Sequence, residues 1–279
     1  MKKNNITAVV LTKNEEKNIK ACLNALRWVD DLIVVDSGST DNTVKIAKEI
    51  GARVFVNKPE QFYISEQRNW ALDNSDIETE WVIFVDADEI ITPKLKQDII
   101  KYTCEASDDI AGFMLCFKFI FMGKWLRHTC SFPSWHDRLL RYGRARFKDE
   151  VWESFDTQGK IGKIKEPYIH YGFNKGINEW FKRHQRYAQW KAANIVENKK
   201  NNIYKNLFSG NHRDRSNAIE KIGSKFGVLS PFFRFFYHYI LKMGFLDGNP
   251  GLIYSKMMGM YQFMIYLNIL DKKNKISRK

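Results

Sequence analysis

Cysteine is scarce in this chain, and its four cysteines form no metal-binding or disulfide pattern. Cys22, Cys104, Cys116 and Cys130 lie far apart and include no CxxC pair, so we expect reduced thiols in a cytoplasmic protein. Long apolar runs are also missing, because the longest charge-free stretch near the C-terminus, Met257–Leu270, has 14 residues and a spanning helix needs roughly 20. No signal peptide precedes the first predicted strand, which also favours the cytoplasm.

Acidic residues are in the minority. The chain has 45 Lys and Arg against 32 Asp and Glu, a formal net charge of +13, which predicts an anionic partner such as nucleic acid, acidic lipid or a phosphorylated substrate. No recognised nucleic-acid motif is present, and nucleic acid is therefore the least favoured of the three. A hydrophobic content of 44% with 14% aromatics excludes a disordered chain and predicts a globular one.

The first half of the chain alternates predicted strands with predicted helices, and the second half does not. This βαβαβαβ order predicts a parallel sheet with right-handed crossovers and a ligand at the carboxyl ends of its strands. The predicted strands are 6–11, 32–35, 53–56 and 81–85, and the helices are 15–28, 42–50, which stops at Gly51, and 64–72. Further strands are predicted over 113–121, 137–142 and 168–171, and helices follow Gly172. We therefore predict an α/β domain over 1–172 and a helical region over 173–279.

Polar side chains follow three of these strands. Thr12-Lys13-Asn14-Glu15 follows the first strand, Asp36 ends the second, and Asp86-Ala87-Asp88 ends the fourth. Two carboxylates at the edge of a sheet can hold a divalent cation against a diphosphate, because hard cations take oxygen ligands. Helix capping by Asn14 and Asp41 is the simpler explanation for part of this pattern, but it does not explain why the acids gather at one edge.

Four blocks of this sequence together resemble family 2 glycosyltransferases of the GT-A fold, and most closely the bacterial lipopolysaccharide-core glucosyltransferase group. The blocks are Val9–Glu15, Val34–Thr43, Gln67–Ala71 and Val85–Glu89. The resemblance implies a Rossmann-like mixed sheet that binds a nucleotide sugar. It also implies an inverting, metal-dependent transfer of one hexose, with glucose from UDP-glucose as the best single assignment.

The same resemblance implies roles for individual residues. Thr12, Asn14, Glu15 and Asp36 would line the nucleoside pocket, and Arg68 would contact the diphosphate. Asp86 and Asp88 would bracket the donor ribose and the metal, Mn²⁺ or Mg²⁺, and Ala87 between them would contact the donor. His170 would complete the metal shell or contact the diphosphate. Guanidinium groups bind phosphate in a bidentate manner, which suits Arg68. By themselves Arg68 and His170 would be read as an ordinary helix-face residue and a packed core residue.

The base that accepts a proton from the acceptor hydroxyl is predicted in the block Val151-Trp152-Glu153. The resemblance points to Glu153, although Trp152 stands where the group has a His, and Glu150 remains an alternative. One carboxylate opposite the leaving group implies a single displacement with inversion at the anomeric carbon. The aromatic segment Phe132–Arg138 could bind a sugar ring or could simply pack.

The region from 226 to 270 is rich in Phe, Tyr and Met. Within residues 229–243 the large apolar side chains recur at helical spacing, while Arg234, His238 and Lys242 follow one another at intervals of four. This pattern predicts an amphipathic basic helix that lies on an anionic membrane. A helix that caps the catalytic core is the alternative.

The predicted function is the transfer of a hexose to a lipopolysaccharide-core or other lipid-linked saccharide, by an enzyme peripherally bound to the inner face of the cytoplasmic membrane. Three alternatives stay open: a different donor sugar with a capsular or protein-linked acceptor, a silent glycan-binding protein, and a nucleic-acid-binding protein. Nucleotidyl transfer is disfavoured because Thr12–Glu15 lacks a glycine-rich phosphate loop. Processive synthesis is disfavoured because the block Gln185–Trp190 has Gln189, and not Arg, directly before Trp190.

Overall fold

The structure is a computed structural model that describes residues 4–60, 62–148, 154–197 and 212–277. It divides into two compact units. The first comprises the chain up to Lys118 together with Pro133–Asn174, and the second comprises Phe119–Phe132 together with the chain from Lys175 onward. Residues 119–132 belong to the second unit together with the later helices, so no single boundary in the sequence separates the two units. The functional boundary after residue 172 stays a prediction.

The first unit is built on a mixed sheet, whose strands are β1 (Ile6–Thr12), β2 (Asp31–Asp36), β3 (Arg53–Val56), β4 (Trp81–Asp86), β5 (Glu89–Ile90), β6 (Ile110–Phe121), β8 (Trp135–Arg141) and β11 (Lys160–His170). Their order is β3-β2-β1-β4-β8-β6-β11-β5. β3, β2, β1 and β4 are parallel, whereas β8 joins β4 in the antiparallel direction. The predicted parallel half of the sheet is confirmed.

Helices connect the parallel strands, and short elements complete the unit. The helices are α1 (Ile19–Ala25), α2 (Thr43–Ile50), α3 (Ile64–Asn74) and α4 (Pro93–Glu105), and a separate hairpin is formed by β9 (Arg146–Lys148) and β10 (Ser154–Asp156). Alternate residues of each strand point to opposite faces. Val10 and Ile83 accordingly pack in one buried cluster, while Val9 and Val82 pack in another.

The second unit is mostly helical. It contains β7 (Lys124–Trp125), which pairs with the end of β6. Its helices are α5 (Ile177–Glu197), α6 (His212–Lys225), α7 (Ser230–Phe236) and α8 (Gly248–Ser277), with a π turn over Tyr237–Leu241 and 3₁₀ turns over Gly227–Leu229 and Gly244–Asp247. Within the described ranges, no helix is both long and apolar enough to cross a membrane. The predicted helix over 229–243 is helical from residue 229 to residue 241, although it is divided among a 3₁₀ turn, α7 and the π turn.

α2 ends as its sequence predicts. Gly51 has a φ of 96°, and its N–H donates to the carbonyl oxygens of Ala47 and Lys48. A residue with a side chain is strained at this φ, although a Cβ at this position would meet nothing within 4 Å. The glycine is therefore required by backbone conformation rather than by space.

We expect Gly51→Ala to lower the free energy of unfolding by about 1 kcal/mol. Gly51→Asn should cost less, because asparagine tolerates the left-handed conformation better than alanine does. Urea denaturation of the three proteins measures the difference. Equal losses in both variants would mean that the conformational explanation is wrong.

Candidate active site

The ends of β1 and β2 lie side by side and are joined by a buried hydrogen bond. Thr12 and Asp36 are paired in register, and Thr12 Oγ1 donates to Asp36 Oδ1 at 3.0 Å. The backbone N–H groups of Gly38 and Ser39 donate to Asp36 Oδ2 at 2.9 and 2.7 Å. Asp36 thus organises the turn that follows β2, and its predicted contact with a nucleoside stays a prediction.

The loops after β1 and β2 are tied together by side chains. The N–H of Asn14 donates to Ser39 Oγ, and that of Glu15 donates to Thr43 Oγ1, both at 2.7 Å. Asn14 Oδ1 in turn accepts from the N–H of Thr40 at 2.8 Å. These bonds hold the segment after β1 in a loop, which explains why α1 begins only at Ile19.

The predicted capping role is wrong for Asn14 and is met in part by Asp41. Asn14 accepts a hydrogen bond from the neighbouring loop and not from α1. Asp41 does accept the N–H of Thr43 at 3.0 Å, but the residue at the N-cap position of α2 is Asn42. The polar residues of both loops therefore stabilise one shared edge of the sheet.

The carboxylate of Asp86, at the end of β4, lies between two buried arginines. Arg68 Nη2 approaches Asp86 Oδ1 at 3.2 Å, and Arg138 Nη2 approaches Asp86 Oδ2 at 2.8 Å. Arg138 Nη2 also bonds Glu89 Oε1 at 2.7 Å. Glu89 Oε2 accepts the N–H of Asp86 at 2.9 Å, which closes the network.

The two carboxyl groups of this network have pKa values shifted in opposite directions. Burial works against ionisation of Asp86, yet Arg138 and Arg68 hold the pKa of Asp86 well below its ordinary value. Burial raises the pKa of Glu89 to about 7, against the opposing charge of Arg138. Asp86 is thus the carboxylate that stays ionised in this network.

No role for Glu89 follows from the sequence, and Arg138 is predicted from it only as a sugar contact within Phe132–Arg138. Arg138 belongs to β8, where Leu139 and Leu140 are fully buried. A charged residue inside a buried strand needs a partner of opposite charge, and that is the signal by which Arg138 could have been found. Asp137 is also used within the protein, since Asp137 Oδ2 accepts the N–H of Phe155 at 2.8 Å.

Arg68 lies deeper than a residue on a helix surface. Its side chain is 2% exposed, and its guanidinium carbon lies 5.5 Å and 5.0 Å from the ring centroids of Phe84 and Phe147. Cation–π contacts of this kind stabilise a desolvated guanidinium. The predicted contact of Arg68 with a diphosphate stays a prediction.

Asp88 and His170 meet at the edge of the sheet beside β4. His170 Nε2 lies 3.4 Å from Asp88 Oδ2, and the N–H of Tyr171 donates to the carbonyl oxygen of Asp88 at 2.8 Å. Burial alone would lower the pKa of His170, but the charge of Asp88 raises it above the ordinary value. Ala87, between the two aspartates, is buried. Both side chains of the pair are partly exposed, at 23% and 18%.

Two predicted residues cannot be located. Glu153, the predicted base, and Glu150, its alternative, both lie outside the described residues. Among the residues that are described, no group of three or more His, Cys, Asp or Glu side chains could hold a metal ion. The structure therefore brings together Thr12 with Asp36, Arg68 with Asp86, and Asp88 with His170.

The aromatic segment at 226–246 exposes most of its large apolar residues and buries two of its basic residues. Phe232 is 69% exposed, whereas Arg234 and His238 are only 6% and 4% exposed. The exposed apolar residues, named here the aromatic face, are Phe226, Val228, Leu229, Phe232, Phe233, Phe236, Ile240, Leu241, Met243, Phe245 and Leu246. The apolar and basic residues thus lie on different faces of the segment, and the side chains of Arg234 and His238 are on the buried face.

Residues 7–172 match the family model "Glycosyl transferase family 2". The match covers more than half of the chain, so the chain belongs to glycosyltransferase family 2 and is a glycosyltransferase. The mixed sheet of the first unit and the helices that follow it are the GT-A-like fold that the sequence predicts.

The curated relatives are also glycosyltransferases. An "Uncharacterized glycosyltransferase" of Rickettsia felis is 29% identical over 205 residues, which is 69% of this chain and 70% of that protein. "Lipopolysaccharide core biosynthesis glycosyltransferase LpsC" of Rhizobium meliloti is 25% identical over 211 residues, 73% of this chain and 77% of that protein. The expected resemblance thus includes a relative named for lipopolysaccharide core synthesis.

Two solved structures illustrate the likeness in three dimensions. Residues 1–349 of TarS from S. aureus give a TM-score of 0.45 at 15% identity, covering 96% of this chain and 91% of that chain. Glucosyl-3-phosphoglycerate synthase from Mycobacterium tuberculosis, in complex with Mn²⁺, UDP and phosphoglyceric acid, gives 0.43 at 19% identity. That second match covers 60% of this chain and 70% of the other.

The network around Asp86 predicts a large difference between two arginine substitutions. Arg138→Leu should lower the free energy of unfolding by roughly 3–5 kcal/mol, because the buried carboxylate of Glu89 then lacks its partner and Asp86 keeps only Arg68. Arg146→Leu, which removes an exposed ion pair with Asp73, should cost less than about 1 kcal/mol. Chemical denaturation measures both variants. A loss in Arg138→Leu no larger than that in the control would contradict the network's importance.

Proposed function

We propose that this glycosyltransferase moves a single hexose from a UDP-sugar to a lipid-linked saccharide, with inversion at the anomeric carbon. The observation that carries the proposal is the Asp88–His170 pair at the edge of the sheet beside β4, within the segment that matches family 2. Glucose is the proposed hexose and a lipopolysaccharide-core saccharide the proposed acceptor. The relative LpsC, named for lipopolysaccharide core synthesis, supports the choice of acceptor.

The donor is proposed to bind along the edge where β1, β2 and β4 end. Thr12, Asn14, Glu15 and Asp36 are proposed for the nucleoside side, because their loops are cross-linked at this edge. Ligands of open α/β sheets bind outside the carboxyl ends of the strands, which supports this assignment. Arg68, which pairs with Asp86, is proposed to contact the diphosphate.

A divalent cation, Mn²⁺ or Mg²⁺, fits part of this residue set. Asp88 and His170 offer an oxygen and a nitrogen within 3.4 Å of each other, while both oxygens of Asp86 are bonded to arginines. Such cations bind through one or two carboxylates together with substrate phosphates. Asp88 and His170 are therefore proposed to hold the cation, with Asp86 as the residue that positions them. When bound, the cation would neutralise charge on the leaving diphosphate.

Glu153 is proposed as the base for the acceptor hydroxyl, with Glu150 as its alternative. A hydroxyl has a very high pKa, so it becomes nucleophilic only as a carboxylate accepts its proton. The proton moves to the glutamate while oxygen attacks the anomeric carbon and the bond to the diphosphate breaks. Glu153→Gln and Glu150→Gln, measured side by side, separate the two assignments by which variant binds donor without transferring sugar.

Asp88→Asn should keep the fold and reduce transfer by at least about a hundredfold, the effect of removing one well-oriented electrostatic group. It should also remove the gain in melting temperature that Mn²⁺ adds to UDP binding, since a ligand stabilises only the state it binds. Scanning calorimetry with UDP, with and without Mn²⁺, gives a readout that does not depend on activity.

The matched control is Glu49→Gln, which removes one carboxylate from an exposed position of α2. It should leave both the transfer rate and the Mn²⁺-dependent stabilisation unchanged. A panel of nucleotide sugars in the same assay identifies the donor, and UDP-glucose should stabilise most. Full transfer by Asp88→Asn would refute the proposed cation site.

The second unit is proposed to dock on an anionic membrane surface through the aromatic face. Monomeric soluble proteins rarely expose large contiguous apolar patches, and such patches mark interaction sites. Phe226 and Phe233 stack at 3.7 Å between ring centroids on this face, and Lys225 beside them is exposed. The chain's net charge of +13 favours a negatively charged lipid surface over a neutral one.

The double variant Phe232→Ser, Phe236→Ser should bind anionic vesicles at least about tenfold more weakly, because each buried phenyl group contributes roughly 1.5–3 kcal/mol. Val56→Ser is the control, since Val56 is 55% exposed and belongs to the first unit. Vesicle co-sedimentation measures all three proteins. Unchanged binding by the double variant would exclude the aromatic face as the docking surface.

A further inference from the structure

Beneath the aromatic face, the second unit contains a group of inward-facing basic residues that the proposed transfer reaction does not use. Arg234, His238 and Lys242 follow one another at intervals of four along residues 230–242. Arg234 and His238 are buried, and Lys242 is half-buried. We name these three residues the basic cluster. A helix of a soluble protein normally directs its apolar residues inward, so the reversed arrangement needs a physical reason.

Contacts within the second unit hold the cluster in a defined geometry. The Arg234 guanidinium carbon lies 5.9 Å from the centroid of the Tyr237 ring, and Lys242 Nζ lies 4.9 Å from the same centroid. His238 Nδ1 lies 3.1 Å from the carbonyl oxygen of Thr129. Because that nitrogen must donate, Nε2 carries the lone pair, and this buried atom has no hydrogen-bond partner in the described part of the chain.

The members of the cluster repel one another. Burial lowers the pKa of Lys242 to about 8, and the positive charge of Arg234 contributes to the shift. Burial, Lys242 and Arg234 together lower the pKa of His238 well below its ordinary value. Arg183 of α5 belongs to the same region. The positive charges of Arg183 and Arg234 both oppose the rise in the pKa of Tyr254 that burial causes. A bound anion would attract Arg234 and Lys242 and offset their mutual repulsion, and it would favour the protonated form of His238, whose Nε2 could then donate to it.

The nearby carboxylate of Asp247 is already engaged. It accepts the backbone N–H groups of His128 and Thr129 at 3.1 and 2.8 Å, and Thr129 Oγ1 donates to it at 2.7 Å. His128 Nδ1 also lies 3.0 Å from its other oxygen. Asp247 thus fixes the turn that carries Thr129, and Thr129 in turn accepts from His238.

We propose that the basic cluster binds the phosphate group of a membrane lipid that enters the second unit from the aromatic face. A guanidinium and an ammonium group beside one aromatic ring suit a phosphate, because charge-assisted hydrogen bonds to its oxygens are strong. The apolar residues on the outer side of the same segment suit the lipid chain. The inference rests on the proposed membrane docking, but it does not depend on the identity of the donor or on the transfer step.

The test uses the full chain and two matched charge-removing variants. Lys242→Gln removes a charge from the cluster, and Lys256→Gln removes one from an exposed position of α8. Binding is measured to vesicles of phosphatidylcholine alone, to vesicles containing phosphatidic acid, and to soluble dihexanoyl phosphatidic acid by calorimetry. Inorganic phosphate at the same concentration separates a lipid phosphate from a free one.

The wild type should prefer phosphatidic acid at least tenfold over phosphatidylcholine and over inorganic phosphate. Lys242→Gln should lose that preference while keeping its binding to neutral vesicles, and Lys256→Gln should keep both within twofold. Lys242→Arg, which retains the charge, should retain the preference. Stabilisation by UDP with Mn²⁺ should be equal in all variants, which establishes that the first unit is intact.

Equal losses in Lys242→Gln and Lys256→Gln would overturn the proposal, because they would indicate diffuse attraction to a charged surface. A wild type without preference for phosphatidic acid would overturn it as well. If inorganic phosphate binds as tightly as dihexanoyl phosphatidic acid, the ligand is a free anion and the lipid assignment fails. Failure of the membrane docking itself is distinguishable, since all vesicle binding would then be absent while the soluble lipid could still bind.

Discussion

The ion pairs of the partly exposed Asp86 carboxylate with the buried Arg68 and Arg138 are the interaction on which the arrangement of the candidate site depends. Arg68 comes from α3 and Arg138 from β8, so this carboxylate joins the parallel half of the sheet to the strand that reverses its direction. Glu89 completes the network through the N–H of Asp86. A buried charge is tolerated only when it is paired and hydrogen-bonded. Replacing any one of the four groups is therefore expected to destabilise the positions of the others.

The two aspartates of this motif, Asp86 and Asp88, are separated by one residue but have different partners. Asp86 gives both oxygens to arginines, and its strongly lowered pKa follows from their charges. Asp88 lies beyond the end of the strand, where it meets His170 at 3.4 Å. Two acidic residues in a short motif can therefore differ in role, because Asp86 is the last residue of β4 whereas Asp88 lies in the turn that follows it.

The sequence was sufficient to predict the strands and their parallel order, since continuous apolar runs such as Trp81–Val85 and intervening helical patterns are strong local signals. It did not reveal that Arg138 would bond Asp86, 52 residues away, because such a pairing depends on sheet order beyond the parallel half. The start of α1 was missed for a similar reason. The N–H groups of Asn14 and Glu15 are bonded by residues of another loop, which helical periodicity alone does not encode.

The segment 229–243 illustrates a more general limit. Periodicity identifies two faces of a helix correctly, but it does not say which face is buried; the usual assumption that the apolar face points inward fails here. The exposed Phe232 and the buried Arg234 are only two residues apart in the chain. The burial of the basic face is therefore a local property of this segment. A protein that directs cations inward and phenyl rings outward has its polarity arranged for an apolar surface outside and a negative group inside. Both requirements are met by the same molecule if that molecule is an anionic lipid, because its chain and its phosphate are covalently joined.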